Sequence, residues 1–137
     1  AGILHSPTDA DLFRFQTGNG PVVIDVDPYS YFPNVDAKLE LLNDTGIVLA
    51  SADPTTMDAR ISTNLGAGIY YVRVTGAGFG DPLGTGYSAY GSCGNYTVTM
   101  SLQTGVPPAP PTNLSAVALN PGQIRLTWND NSTNEAL

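Results

Sequence analysis

The sequence is poor in the residues that do chemistry: one cysteine, one histidine, one tryptophan, and five Lys and Arg against twelve Asp and Glu. A lone cysteine excludes an internal disulfide, and one histidine beside one cysteine leaves too few ligands for an ordinary zinc centre. Any Ser-His-Asp or Cys-His arrangement would have to use His5, and no nucleophile-elbow motif surrounds a serine. The shortage of bases, at a formal charge of −7, argues against nucleic acid and against an anionic membrane surface as partners. No apolar run reaches the ~18 residues that a spanning helix needs. Charged residues make up 12% of the chain, about half the usual share. Low charge with abundant Thr, Ser, Asn and Gly fits an exported bacterial module, so a secreted location is expected.

What the chain does have is period-two alternation, with helical periodicity nowhere convincing. In "DLFRFQ", Phe13 and Phe15 oppose Leu12, Arg14 and Gln16. The pair Asn19-Gly20 in "TGNG" tolerates positive φ and reads as a hairpin turn. "PVVIDVDP" sets Val22, Ile24 and Val26 on one face. "AKLELLNDTGIVLAS" reads as a hairpin about Asp44-Thr45-Gly46, with Ala37, Leu39 and Leu41 inward and Lys38 and Glu40 outward. "ARISTNL", "GAGIYYVRVTG" and "NYTVTMSL" supply further strands, the last with Tyr96, Val98, Met100 and Leu102 on one face. About seven short strands predict an all-β fold, an antiparallel sandwich or barrel.

At Val106 the composition changes. "VPPAPP" favours an extended polyproline linker over residues 106–111, which bounds a first domain at residues 1–105. Residues 112–137 read as two more strands about Asn120-Pro121-Gly122. So short a tail cannot bury enough surface to fold alone, and is expected to open a second domain.

Three groups of residues are candidates for function. Phe79, Tyr87 and Tyr90, in a Gly- and Ser-rich loop, suit an aromatic platform for a peptide or a sugar ring, or packing that anchors the loop. Tyr29, Tyr31 and Phe32, between two prolines, form a second such cluster. Asp9, Asp11, Asp36, Asp53 and Asp81 stand at strand ends, where carboxylates can converge on calcium, although aspartate also serves turns. Cys93 is expected to be a small buried hydrophobe.

The segments "DADLFRFQTGNGPVVIDVDP", "NVDAKLELLNDTGIVLAS" and "LGAGIYYVRVTGAGFGDPLGTGYSAYGSCGNYTV" resemble the bacterial pre-peptidase C-terminal (PPC) domain over roughly residues 1–103. The pattern G-x-GDP-x-x-x-GYS-x-Y resembles one branch of that family, in which a leucine often stands at the position of Cys93. The tail from Pro111, with Leu114, Ile124, Leu126 and Trp128, resembles the opening strands of a fibronectin type III domain. The first resemblance implies a non-catalytic, jelly-roll-like β-sandwich carried by secreted peptidases and other hydrolases, similar to the collagen-binding domains of clostridial collagenases. It implies calcium as a candidate cofactor, with Asp11 at the position of a ligand, Asp9 near enough to assist, and the backbone about Tyr96 as a further contact. The tyrosines that those domains use for collagen fall here on Thr75 and Ala77, so the longer loop with Phe79, Tyr87 and Tyr90 takes the place of that surface. The expected role is a module that tethers a catalytic domain in cis to insoluble protein or polysaccharide. A carbohydrate-binding module and a secretion aid removed on maturation are the alternatives.

Overall fold

The computed structural model describes residues 1–103 and 110–131. The chain divides into two compact units, residues 1–105 and 106–137. Most of the proline-rich segment lies outside the described residues.

The first unit has eight strands: β1 Gly2–Leu4, β2 Ala10–Thr17, β3 Gly20–Pro28, β4 Ala37–Asn43, β5 Val48–Ala52, β6 Ala59–Leu65, β7 Gly68–Gly76 and β8 Gly94–Ser101. They form two four-stranded sheets, in the orders β1-β8-β3-β6 and β2-β7-β4-β5, with every pairing antiparallel. That interleaving is the jelly-roll arrangement of eight strands in two sheets. The expected β-sandwich is therefore the observed fold.

Alternation decides what lies between the sheets. Val22, Ile24 and Val26 of β3 face Leu39 and Leu41 of β4 and Val72 and Val74 of β7, all without exposure to solvent. Leu4, Phe15, Ile61 and Tyr96 complete this core. Side chains one residue out of phase point to solvent. There Arg73 pairs with Glu40 at 2.5 Å and Arg60 with Asp25 at 2.8 Å, each across neighbouring strands.

Two features depart from the sequence reading. The three-residue strand β1 was too short to show a period, yet it covers the edge of β8. The turn at Asn19-Gly20 does not make a hairpin: β2 pairs with β7 and β3 with β6 and β8, so the chain changes sheets there. Of the pair, only Gly20 takes a positive φ, at +136°, while Asn19 does not. The use of the pair differs because Asn19 Oδ1 accepts the Ala67 N–H at 3.0 Å, binding this corner to the β6–β7 turn.

In the second unit, β9 Thr112–Asn120 and β10 Gln123–Asn129 form an antiparallel hairpin. Leu114, Val117, Leu119, Ile124, Leu126 and Trp128 all lie exposed on it.

Candidate functional site

Both aromatic clusters sit on connections between the sheets, and the structure ties those connections together. The β3–β4 connection carries Tyr29, Tyr31 and Phe32; the β7–β8 connection carries Phe79, Tyr87 and Tyr90. Asn34 reaches from the first to the second, its Nδ2 donating to the carbonyls of Gly91 at 2.8 Å and Cys93 at 3.1 Å. The Asp36 N–H donates to Ser92 Oγ at 3.2 Å, and that hydroxyl donates to the Ala77 carbonyl at 2.5 Å. The Ala77 N–H returns to the Asp36 carbonyl at 2.7 Å. The Asp36–Ser92 and Ser92–Ala77 bonds are buried, where losing a partner costs more than at the surface, whereas the two Asn34 bonds are exposed.

Within the β7–β8 connection, Phe79 and Tyr87 exchange backbone hydrogen bonds of 2.9 and 2.8 Å, and their rings lie 6.3 Å apart. This close return needs a residue without a side chain at Gly86, where a Cβ would fall 2.1 Å from the Phe79 carbonyl oxygen. The glycine-rich motif is thus a device for bringing two backbones together. The Tyr87 hydroxyl donates to Asp36 Oδ2 at 3.0 Å. That bond, then partial burial and the charges of Asp36 and Asp53, raise the Tyr87 phenol above its ordinary range.

The candidate aromatics consequently divide. Tyr87 is part anchor, part surface, at 40% exposure, whereas Tyr90 is 82% exposed. Tyr29 and Tyr31 are exposed, with rings 5.9 Å apart. Phe32, at φ +56°, projects almost wholly into solvent. Between the loops lies a cavity of about 320 Å³, lined by Asn34, Asp36, Met57, Tyr87, Tyr90 and neighbouring backbone. Asp36 is 2% exposed, and its Oδ1 has no hydrogen-bond partner among the described residues. Sequence reading placed Asp36 only among candidate calcium ligands. Its pairing with Tyr87 spans 51 residues and left no local signal.

Cys93 is half-buried rather than buried, because its thiol lies against the Tyr90 carbonyl at 3.9 Å instead of entering the core.

Asp9 and Asp11 stand elsewhere, at the start of β2. The buried Tyr96 hydroxyl donates to Asp11 Oδ2. Burial first, then this bond, pushes the Tyr96 phenol above its ordinary range. Asp9 accepts the N–H groups of His5 at 2.8 Å and Ala10 at 2.9 Å, and its Oδ2 lies 3.3 Å from His5 Nδ1. The His5 backbone bond is the main cause of its lowered carboxyl pKa. Calcium takes six to eight oxygens. Both carboxylates are engaged within the protein, and among the described residues no three His, Cys, Asp or Glu converge. Asp9 and Asp11 therefore do not by themselves make a calcium cage.

No protein-family model matches the sequence, and no curated protein does. Among solved structures, the chain is similar to the pre-peptidase C-terminal domain of a collagenase from Bacillus anthracis, with a TM-score of 0.52 and 17% identity. The match covers 73% of this chain and 84% of that one. At that identity the likeness is one of fold, and it agrees with the fold that the PPC resemblance implies.

Proposed function

We propose that residues 1–105 form a non-catalytic accessory module of a secreted hydrolase, a peptidase in the first instance, which holds a catalytic domain in cis against insoluble substrate. The observation that carries this reading is the pair of stitched loops, which present Tyr29, Tyr31, Phe79, Tyr87 and Tyr90 from one rigid scaffold. Tyrosines on a fixed frame offer large contact area at small entropic cost. The fold shared with a collagenase accessory domain supports the peptidase context. Tethering raises the local concentration of cleavable bonds without a new catalytic group. The exposed apolar residues of the β9–β10 hairpin support its assignment to a further, fibronectin type III-like domain, since a lone hairpin has no core.

The test is retention of the chain on insoluble collagen, elastin, cellulose and chitin, with calcium and with chelator. Retention on a protein matrix supports the reading. Retention on cellulose or chitin alone replaces it with a carbohydrate-binding module, and retention on none leaves a spacer or secretion aid. A response to chelator assigns calcium a part; its absence removes Asp9 and Asp11 from consideration as ligands.

A further inference from the structure

The cavity between the stitched loops is lined by Asp36, a buried acceptor that lacks one of its donors among the described residues. Asp36 Oδ2 receives the Tyr87 hydroxyl, but Oδ1 is buried without a partner among the described residues. A buried carboxylate oxygen lacking a donor carries a desolvation penalty that an incoming donor would relieve. Three of the polar side chains around it are engaged elsewhere. The Tyr87 hydroxyl donates to Oδ2, the Ser92 hydroxyl to the Ala77 carbonyl, and the Asn34 amide to the Gly91 and Cys93 carbonyls. No described residue donates to Oδ1, which leaves the place of a donor to an incoming group.

Charge and shape narrow what it is. No basic residue lines the cavity, and the Asp53 carboxylate adds to the negative potential felt at Tyr87. A metal ion is disfavoured because Asp36 is the only acid in the lining, too sparse a set for calcium. A sugar would call for donors as well as acceptors at the floor, and there the Tyr87, Ser92 and Asn34 donors are already committed. Met57 and the rings of Tyr87 and Tyr90 form the rest of the wall. Aromatic faces attract cations, and a thioether with two rings suits an aliphatic stem.

We propose that this cavity binds a primary alkylammonium group, such as the lysine side chain of a protein partner, with its charged head on Asp36 Oδ1 and its stem along Met57 and Tyr90. The proposal deepens the tethering reading by naming the class of group engaged. It rests on that reading for its biological use, while the chemistry of the cavity is tested apart from it.

The experiment is an amide-resolved NMR titration of the full chain with Nα-acetyl-lysine amide, with Nα-acetyl-norleucine amide, which keeps the stem but lacks the ammonium, and with calcium chloride. Saturable shifts at Tyr87, Gly91 and Ser92 are expected with the lysine probe alone. Asp36→Asn, which keeps an oxygen for Tyr87, is expected to weaken them by about tenfold or more. Tyr90→Ala, at an exposed position, is expected to weaken them by about threefold or more. Equal shifts from the norleucine probe, shifts from calcium but not lysine, or undiminished lysine binding in Asp36→Asn would each overturn the proposal. Should Asp36→Asn fail to fold, an unchanged affinity in Tyr90→Ala would do the same. A chain that binds the lysine probe but is held by no insoluble matrix sinks the tether and keeps the cavity. Retention on a protein matrix with no response to the lysine probe does the reverse.

Discussion

The Tyr87 hydroxyl sits 3.0 Å from the Asp36 carboxylate, across 51 residues of sequence, and fixes the aromatic β7–β8 connection to the root of β4. One bond thereby joins the buried root of β4 to a loop whose aromatic rings stand partly or wholly exposed. Tyr90, three residues on, has no such bond from its ring and stands in solvent.

That difference sets the first expectation. Tyr87→Phe removes the one donor to the Asp36 carboxylate among the described residues, and should cost about 1–3 kcal/mol of folding stability. Tyr90→Ala should change it by less than about 0.5 kcal/mol, as exposed substitutions usually do. Urea unfolding of the two variants decides the matter. Equal losses would mean that the hydroxyl of Tyr87 does not hold the loop.

Asp36→Asn should behave unlike Tyr87→Phe. The amide oxygen still accepts from Tyr87, while the buried charge is removed, and a buried charge lacking partners is a net cost. The unfolding midpoint of the unliganded variant should equal or exceed that of the parent chain. A clear fall would show that Oδ1 is satisfied by solvent and that its negative charge is not a burden.

Tyr96 sets the alkaline limit. Its phenol titrates above the ordinary value of 10.0 in the folded protein, through burial and the bond to Asp11. The unfolded chain therefore releases this proton first as pH rises. Folding stability is fully present below about pH 10 and falls from there up to the folded pKa. In Tyr96→Phe the protein should be weaker at neutral pH, with a shallower decline above pH 10. Thermal unfolding followed from pH 8 to 11.5 would reveal an identical slope in the two chains if Tyr96 had no part in it.

The sandwich was legible because its inward positions alternate without interruption: Val22, Ile24 and Val26, or Ala37, Leu39 and Leu41, can face one core only as strands. Sheet order was not legible. Asn19-Gly20 has the backbone freedom of a hairpin turn, and whether the next strand folds back or crosses depends on partners such as Ala67, distant in sequence. β1 escaped notice because three residues carry no period. The aromatic loops could be picked out by composition, since Tyr and Phe amid Gly, Ser and Pro belong to neither strand nor helix. Their union through Asn34, Asp36 and Ser92 could not, because each bond between the loops spans more than forty residues. Asp36 itself looked like any acid at a strand end, and only burial set it apart from Asp53 and Asp81.

The glycine-rich motif allows a last expectation. Gly86→Ala places a methyl group 2.1 Å from the Phe79 carbonyl oxygen, inside any tolerable contact. Backbone rather than a flexible side chain stands in the way, so the two strands of the loop must part. Both hydrogen bonds between Phe79 and Tyr87 should be lost, at a cost of about 1–3 kcal/mol typical of overpacking. The damage should stay local, because Ile24, Leu39 and Val72 pack in a core to which this loop does not contribute. Hydrogen exchange separates the two scales: the Phe79 and Tyr87 amides should exchange fast in the variant, while those of β3 and β7 keep most of their protection. Under the tethering proposal, retention on a protein matrix should fall with them, since the aromatic rings would no longer be held in register by the backbone. Uniform loss of protection across both sheets would show instead that the loop closes the sandwich, and that its glycines serve folding before contact.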